Sequence, residues 1–592
     1  MRQLACDVLV VGAGGAALRA AIAAHDTDPQ LRVQIVTRGK LGKSGVTATA
    51  CSDRMAFHAT LPYTLPGGDD NWRYHAADIY RLGGCVSDPK LAEILAKNSG
   101  RAAQELQRWG VPFTLDSAGR LAQFITDGSD YPRACYTGPY TANHISQALC
   151  AKVRELALPV LEEHYVFQLA VSGGRVVGVW ALPEGLPGTE DPARHLVFLG
   201  ARSVVLATGG AGGIYGHNVF PPGAVGDGYA MALAAGASVV NIEFLQIALC
   251  SPKTSLACSG SIMRAMPRFV NDKGEELALP GSWPELVFDK GASWPLSYEN
   301  PTHKIDLLVA RELEAGGKVY LDFSANPRNF AWESLPQRLV SLYKAERRQD
   351  LGQERKFSPL ARLREINQPV VQWLAERGVR LEAGERLEIH PSVQHFQGGV
   401  WIDAGAETKL PGLFAAGEAA GGQHGANRPG GNALMDAQVF GRIAGERAAQ
   451  VPFRLDRNHP QEPKLQKDRG TAAGEILTHV RGLMDRYAAV IRWPEGLKVA
   501  AQELEELAKL EPVPARESWD RVLEAKAAVL VARAVVKAQA LRKESRGPHL
   551  YFTEADGEAM PTDPEYQRSV CLSGPALNAS WIKWRKPKED EK

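Results

Sequence analysis

A strand, a glycine-rich turn and a helix at the start of the chain constrain its fold more than any other feature. Residues 7–11 form an apolar, β-branched run, residues 12–15 read Gly-Ala-Gly-Gly, and residues 16–24 are rich in alanine, a strong helix former. Residues 33–37 have the composition of a second strand. This order predicts a βαβ unit, the first element of a dinucleotide-binding α/β fold.

The turn has the spacing of a phosphate-binding loop. In the pattern Gly12-x-Gly14-x-x-Ala17, the glycines permit a tight turn and close approach of a pyrophosphate, and Ala17 lets the helix pack against the strand. Gly15 leads into the helix, whose N-terminus stabilises phosphate charge. A glycine triplet alone can be an ordinary turn, but its position between a strand and a helix favours a dinucleotide site.

The end of the second strand departs from the usual dinucleotide pattern. Such sites place an acidic residue there to bind a ribose hydroxyl. This chain has Thr37 and Arg38 instead. We therefore expect Thr37 to bind the ribose hydroxyl, with Arg38 beside it at the cofactor.

Composition and charge exclude several classes of function. Lys and Arg total 68 against 67 Asp and Glu, so the chain lacks the positive excess that binds nucleic acid or an anionic membrane. Its apolar runs fall short of the roughly 20 residues of a membrane span, and residues 1–11 lack a signal-peptide pattern. We expect a cytoplasmic protein without a membrane span.

The eight cysteines are scattered and include no C-x-x-C pair. The sequence therefore indicates no disulfide framework and no zinc or iron-sulfur site of its own. Any iron-sulfur centre would belong to a partner. Cys51, Cys250 and Cys258 are expected to pack as small buried residues, with a reactive thiol near the cofactor as the alternative.

The pattern along the chain predicts several domains. Further strands are expected at 160–171, 175–182 and 203–207, a helix near 304–314, and helices within 471–544. We divide the chain into a dinucleotide-binding domain in two parts, an inserted lid, and a C-terminal helical domain with a tail: residues 1–242 and 356–450, 243–355, and 451–592, respectively.

Several later motifs resemble those of one enzyme family. They are Thr208-Gly209-Gly210, Gly226-Asp227-Gly228, Leu-Phe-Ala-Ala-Gly-Glu at 413–418, His-Gly-Ala-Asn-Arg-Pro-Gly-Gly-Asn-Ala-Leu at 424–434, and Ser-Arg-Gly-Pro-His at 545–549. In order and spacing the chain resembles the succinate dehydrogenase, fumarate reductase and aspartate oxidase flavoproteins. The resemblance implies an α/β fold: a Rossmann-like FAD-binding domain, an inserted α+β capping domain and a C-terminal helical domain.

The resemblance also implies which residues hold the cofactor. Glu418 would bind the ribose or ribityl part of FAD, and Asn432, Ala433 and Leu434 would open a helix beneath the pyrimidine edge of the flavin. The complete predicted cofactor set is Gly12, Gly14, Gly15, Ala17, Thr37, Arg38, Ser44, Gly45, Thr47, Val166, Ala207, Thr208, Gly209, Asp227, Glu418, Asn432, Ala433 and Leu434.

Ser44-Gly45 resembles the turn that contacts the flavin in this family. The succinate dehydrogenases carry, at the second position, the histidine that bonds covalently to the flavin. Gly45 cannot form that bond. We therefore expect FAD to be bound non-covalently.

The substrate half of the chain departs from the family. Arg428 matches the arginine that clamps a substrate carboxylate, although a structural ion pair would explain it too. Gln394 stands where the family has a substrate-binding histidine, with His395 next to it as the nearest candidate acid or base. Ala248 replaces another histidine that contacts the substrate carboxylate.

These observations favour an FAD-dependent oxidoreductase that moves a hydride or electrons between flavin and a small carboxylate-bearing or otherwise anionic substrate, other than succinate and fumarate. One alternative is a flavin subunit that exchanges electrons with an iron-sulfur partner, which could hold it at the periphery of a membrane. The other is a flavin-bound interaction protein without catalysis.

Overall fold

The computed structural model describes residues 2–53, 55–126, 128–279, 283–292, 295–452, 461–465 and 470–584. Its strands, in chain order, are β1 Arg2–Ala5, β2 Val8–Val11, β3 Val33–Val36, β4 Phe57–His58, β5 Ala134–Cys135, β6 Val160–Leu161, β7 His164–Ser172, β8 Arg175–Pro183, β9 Val197–Gly200, β10 Ser203–Leu206, β11 Ser238–Val240, β12 Leu245–Cys250, β13 Arg268–Asn271, β14 Val319–Asp322, β15 Leu387–Phe396, β16 Gly399–Trp401, β17 Leu413–Ala415, β18 Ala420–Gly421, β19 Thr471–Ala472, β20 Pro512–Val513, β21 Ser569–Ser573 and β22 Asn578–Ile582.

The α-helices, in the same order, are α1 Gly15–Thr27, α2 Val46–Thr49, α3 Trp72–Leu82, α4 Pro89–Arg108, α5 Thr141–Glu155, α6 Pro192–His195, α7 Asp227–Ala234, α8 Gly260–Arg264, α9 Trp283–Lys290, α10 His303–Glu314, α11 Gln337–Glu346, α12 Pro359–Glu376, α13 Asn432–Ala449, α14 Ala473–Tyr487, α15 Pro494–Ala508 and α16 Trp519–Leu541. No helix in the described ranges is both long enough and apolar enough to cross a membrane.

A five-stranded parallel sheet, in the order β17-β10-β2-β3-β6, forms the centre of the cofactor domain. Its strands are short apolar runs because both faces are covered, and β2, β10 and β17 are entirely buried. Helices α1 and α13 pack against each other next to this sheet. The predicted strand, turn and helix at the N-terminus are confirmed.

A second sheet, β1-β9-β8-β7, extends the same domain. Strands β7 and β8, which fall within the strands predicted at 160–171 and 175–182, form an antiparallel pair. The first part of that run belongs elsewhere, because β6 pairs with β3 in the parallel sheet. Strand β1 was not expected from the sequence, since its residues are mostly exposed.

The lid contains a four-stranded antiparallel sheet in the order β12-β15-β14-β13. One hydrophobic cluster joins residues of β12, β13 and β14 to residues of α12 and β15. Helix α12 and the start of β15, with Leu387 and Ile389, therefore share the lid's core, although they lie beyond residue 355. Val393 and Phe396 belong to the core of the cofactor domain. The division of the chain at 355 stays a prediction, and this packing favours a boundary within β15, after Ile389.

The helices predicted within 471–544 are present as α14, α15 and α16, which pack together in the C-terminal region. It ends in a β-hairpin that the sequence analysis did not anticipate. Strand β21 pairs with β11 and with β22, so the hairpin completes the sheet β18-β16-β11-β21-β22. The hairpin is thereby packed onto the cofactor domain.

Candidate functional site

Four of the predicted cofactor segments meet at one edge of the parallel sheet. They follow the carboxyl ends of β2, β3, β10 and β17, which lie side by side in the sheet. Ligands of open parallel sheets bind outside this edge, because the loops after the strands form a crevice there. The segments are Gly12–Gly15, Thr37–Arg38, Ala207–Gly209 and the turn that carries Glu418.

The glycine turn after β2 is packed too closely to hold any other residue at its first position. Gly12 has a φ of +115°, and a Cβ added there would lie 2.3 Å from the carbonyl oxygen of Ala207. Gly14 precedes the first residue of α1. The backbone N–H of Gly15 donates to Thr47 Oγ1 at 3.1 Å, which ties the turn to the segment after Gly45. Ala17, in the first turn of α1, is fully buried.

Ser44, Gly45 and Thr47 approach this turn from the other side. Gly45 has a φ of +91°, and its nearest neighbour is Gly14, whose Cα would lie 3.5 Å from an added Cβ. The Ser44 hydroxyl donates to the carbonyl of Lys40. The two glycine-rich turns are therefore in contact, as a cofactor spanning both requires.

Asp227 and Glu418 are two carboxyl groups with unusual environments at this edge. Loss of hydration raises the pKa of Asp227 to about 6, and the Tyr165 hydroxyl donates to it. Burial likewise raises the pKa of Glu418 to about 8, although the N–H of Phe396 donates to its Oε1 at 2.8 Å. Both groups bind a proton more readily than ordinary carboxyl groups do.

Arg38 is engaged by protein carboxylates. Its Nη2 lies 2.6 Å from Glu184 Oε1 and 2.8 Å from Glu524 Oε1, and Nη1 donates to the carbonyl of Gly223. The guanidinium thus links the cofactor domain to α16, and a direct contact with the cofactor stays a prediction. Thr37, its neighbour, is buried at the end of β3, and Val166 is buried within β7.

The N-terminus of α13 lies at the same edge. Gly431, with a φ of +106°, precedes Asn432, the first residue of the helix. Asn432 is completely buried, whereas Ala433 and Leu434 are partly accessible. A helix N-terminus carries partial positive charge, so it would stabilise negative charge on a group placed there.

The lid contributes a polar surface opposite the loop that leads into α13. Strand β15 has one more residue than β12 between the pairs Gln246–His395 and Ile247–Val393, and Gln394 is the extra residue of this β-bulge. Such a bulge directs both of its residues to one face of the sheet. Gln394 and His395 therefore face the same way as Gln246.

Arg428 meets this lid surface. It is 8% exposed, and its Nη2 donates to Gln246 Oε1 at 2.8 Å. The ring of His395 lies 5.9 Å from that of His424, edge to face. Burial, Arg428 and His424 together hold the pKa of His395 well below its usual value, so its imidazole is neutral.

Gln394 lies at the far end of the same surface. Its Nε2 donates to Cys250 Sγ at 3.0 Å. Burial raises the pKa of Cys250 to about 12 and that of Cys51 to about 11, so both remain thiols at neutral pH. Ala248 is buried against Cys250. Polar but uncharged groups therefore face this part of the site.

The comparisons with known proteins agree with this geometry. The family model for the FAD binding domain matches residues 7–434, which is most of the chain. The chain belongs to this FAD binding domain family. Its predicted likeness to the fumarate reductase and succinate dehydrogenase flavoproteins, its α/β fold and its cofactor FAD are thereby confirmed, and it is an FAD-dependent oxidoreductase.

Relatives cover nearly the whole length of this FAD-binding protein. It is 30% identical to an uncharacterised FAD-dependent oxidoreductase of Methanocaldococcus jannaschii, with 96% of each chain covered. It is also 30% identical to one subunit of the fumarate reductase (CoM/CoB) of Methanothermobacter marburgensis, over 96% of this chain and 97% of that one. Among solved structures, Mycobacterium smegmatis Sdh1 superposes with a TM-score of 0.76 at 25% identity, over 100% and 96% of the two chains.

The predicted FAD site passes a test of fit that does not depend on the relatives. Several polar atoms are buried there without a hydrogen-bond partner among the described residues, and each such atom costs about 1–3 kcal/mol unless a ligand satisfies it. They are Thr208 Oγ1, Gln423 Oε1, Asn432 Nδ2 and Gln438 Oε1. In addition, Gly12, Gly14, Thr208, Gly209, Asp227, Glu418, Ala433 and Leu434 are partly accessible within largely buried surroundings. The residues present therefore fit a large, polar cofactor.

Sequence reasoning missed several residues of the site. No local feature of the sequence distinguishes Gln246 from its neighbours. Its contact with Arg428 depends on the tertiary structure. Three further polar residues outside the predicted set are completely buried: Gln397, His58 and His75. The available signal was the occurrence of polar residues in apolar segments, such as His58 in Ala-Phe-His-Ala.

Proposed function

We propose that the enzyme moves a hydride between FAD and a small carboxylate-bearing substrate, which Arg428 holds by its carboxylate. The single observation that carries this proposal is the position of Arg428. It is buried on the loop that leads into α13, at the predicted flavin, and it faces Gln246 and His395 of the lid. A planar guanidinium in such a place suits a carboxylate.

His395 would serve the proton that accompanies the hydride. Its pKa is held low by burial and by Arg428, so the imidazole is in its basic form and accepts a proton from the substrate in the oxidative direction. FAD, when bound, supplies the hydride chemistry. Closure of the lid sheet over the cofactor domain would exclude water from both groups.

The lid surface favours substrates with a single carboxylate over succinate and fumarate. The family that this chain resembles contacts dicarboxylates through two histidines, and Gln394 and Ala248 stand at their positions here. Gln246, Gln394 and Cys250 carry no charge at neutral pH, so they would leave a second carboxylate without a cationic partner. We infer a substrate whose second end is neutral.

The test is reduction of the bound flavin under anaerobic conditions by a panel of mono- and dicarboxylic acids, with reoxidation of reduced flavin by fumarate as the reverse reaction. The proposal expects bleaching of the flavin's visible absorption by monocarboxylates and little fumarate reduction. Arg428→Ala should abolish turnover while FAD stays bound. Arg338→Ala, which removes an exposed lid arginine paired with Asp289, is the matched control. Unchanged turnover in Arg428→Ala would exclude Arg428 from the mechanism.

We also infer that the FAD is released when the protein unfolds. Gly45 has no side chain that could bond to the flavin, and it lies against Gly14. Acid precipitation should leave all the flavin in the supernatant, as absorption would show. Flavin that remains in the pellet would reveal a covalent bond at another residue.

A second candidate function has one specific support. The relative in Methanothermobacter marburgensis is, by its name, one subunit of its enzyme. An iron-sulfur partner could exchange electrons with the flavin of this chain, and it could also hold the chain at a membrane. Purification from the native cells under anaerobic conditions would reveal such a partner. If the chain purifies alone and turns over its substrate without a partner, this second candidate is excluded.

A further inference from the structure

Two histidines face each other where the lid meets the cofactor domain, outside the proposed flavin and substrate sites. His390 lies in β15, and His217 lies in the loop between β10 and α7. Their Nδ1 atoms are 3.1 Å apart, and the planes of the two rings cross at 70°. His217 is exposed and His390 is partly exposed. Small ions can therefore reach the pair from solvent.

Strand β15 passes from one hydrophobic core to the other at this pair. Ile389, just before His390, belongs to the core of the lid, whereas Val393 belongs to the core of the cofactor domain. The N–H of Val393 donates to the carbonyl of His217 at 3.0 Å. The loop is also held by Asp485 of α14, which accepts from the N–H of His217. A bond between the two imidazoles would therefore cross from the lid to the cofactor domain.

The surroundings of His390 favour a lone pair on its Nδ1. Its Nε2 lies 3.2 Å from Glu388 Oε1, and a carboxylate can only accept, so this contact places the proton on Nε2. Burial and the neighbouring His217 lower the pKa of His390, so its ring is neutral at neutral pH. In proteins, a histidine that binds a metal through one nitrogen commonly donates from the other to a carboxylate. His390 has this arrangement.

We propose that His217 and His390 bind a divalent transition-metal ion such as Zn²⁺ through their Nδ1 atoms, and that the ion links the lid to the cofactor domain. Two nitrogens on one tetrahedral zinc ion lie about 3.3 Å apart, because each Zn–N bond is about 2.0–2.1 Å long. The two Nδ1 atoms already have nearly this separation. A small rotation of the exposed His217 ring directs both lone pairs at the ion, and the His217 proton moves to Nε2.

The number of protein ligands makes this a reversible site. No group of three or more His, Cys, Asp and Glu side chains that could hold a metal ion occurs in the part of the chain that the structure describes. The protein supplies two imidazoles, and water completes the coordination of the ion. Structural zinc sites use four protein ligands, so binding here is weaker and responds to the concentration of free metal. The link therefore forms and breaks with metal supply.

The affinity for Zn²⁺ tests the site directly. Zn²⁺ is titrated into FAD-loaded protein in competition with a chromogenic chelator that absorbs beyond the flavin bands. His217→Ala and His390→Ala should bind at least about tenfold more weakly than the wild type, because even an outer contact of a metal ligand contributes about 10–100-fold. Mg²⁺, which prefers oxygen ligands, should not compete.

His479→Ala is the matched control for this titration. It removes an exposed histidine whose Nε2 lies 3.4 Å from Glu503, with no second histidine against it. Its affinity for Zn²⁺ should equal that of the wild type. Because His217 is exposed, His217→Ala should fold normally. Equal affinities of the wild type and His217→Ala overturn the proposed site.

Hydrogen exchange tests whether the ion links the two parts. Zn²⁺ should slow the exchange of the backbone N–H groups of residues 387–393 in the wild type, because opening between the two cores must then break a metal bond. His217→Ala should exchange alike with and without Zn²⁺. Exchange in the wild type that bound Zn²⁺ leaves unchanged overturns the link. Neither measurement uses a substrate, so the proposal can fail without affecting the role of Arg428.

Discussion

Glu418 is a carboxyl group whose environment favours its neutral form. Its pKa is raised from the ordinary 4.5 to about 8, mainly by burial. The folded protein binds this proton more tightly than the unfolded chain does, so the protonated carboxyl group stabilises the folded state. This stabilisation is complete below pH 4.5 and is lost as the pH rises through 8. The ionised carboxylate therefore destabilises the FAD-free protein in alkaline solution.

We predict that Glu418→Gln abolishes this part of the pH dependence. FAD-free wild type and variant should have similar free energies of unfolding at pH 5, because Gln resembles the protonated acid. At pH 9 the variant should be more stable by roughly 4 kcal/mol, from the size of the pKa shift. Urea titrations at both pH values measure the difference, and a difference independent of pH would contradict the prediction.

His395 shows the opposite shift, with a different consequence. Burial, Arg428 and His424 lower the pKa of His395 far below its usual value, so its imidazole stays neutral where an ordinary histidine titrates. We predict that the rate of flavin reduction has no inflection near pH 6.5 that originates from His395. The pH–rate profiles of the wild type and His395→Gln should then have the same shape at different heights. An inflection present only in the wild type would show that the histidine titrates in this range.

At the scale of elements, the contact between α1 and α13 brings two backbones unusually close. A Cβ on Gly445 of α13 would lie 2.1 Å from the carbonyl oxygen of Ala20 in α1, and one on Gly441 would lie 2.8 Å from that of Ala16. These helices begin at the two glycine turns that face the cofactor. Their separation therefore sets the distance between the phosphate-binding turn and the flavin-binding helix end.

We predict opposite effects for two Gly→Ala substitutions in helices. Gly445→Ala forces α1 and α13 apart and should cost about 1–3 kcal/mol of stability, with weaker FAD binding. Gly482→Ala in α14 meets nothing within 4 Å and should add about 0.5–1 kcal/mol through the better helix propensity of alanine. Urea denaturation and FAD titration test both, and equal effects would refute the packing argument.

The elements that sequence predicted are those that local pattern determines. The turn at Gly12 and the helix after it follow from residues that are neighbours in the chain. The bulge at Gln394 does not, because it depends on the register between β12 and β15, which lie more than a hundred residues apart. The contact of Gln246 with Arg428 depends on that register, so motifs could indicate Arg428 but not its partner.

For the whole molecule, Arg542 joins three parts of the chain. It follows the last residue of α16, and its Nε lies 2.9 Å from Glu243, just before the lid strand β12. Its two Nη atoms donate to Glu544 and to the carbonyls of Tyr566 and Arg568, before the C-terminal hairpin. Arg542, Glu243 and Glu544 are all 0% exposed.

We predict that Arg542→Met is strongly destabilising, because it leaves the Glu243 carboxylate buried without its cation. The cost should be about 3–5 kcal/mol in urea denaturation. Arg533→Met is the matched control: its partner Glu505 is half exposed, and the loss should be below about 1 kcal/mol. The charge change is identical in the two variants, so the difference reports the buried surroundings and the additional bonds of Arg542.

A double variant tests whether the unpaired carboxylate is the cause. Replacing Glu243 as well, in Glu243→Gln/Arg542→Met, removes the buried charge that the single variant creates, while Glu544 keeps its pair with Arg546 at 2.7 Å. Buried ion pairs can be replaced by neutral groups at little cost, so the double variant should recover much of the lost stability. If it is no more stable than Arg542→Met, the bonds of Arg542 to the backbone carbonyls of Tyr566 and Arg568 hold the three parts together, and the ion pair contributes little.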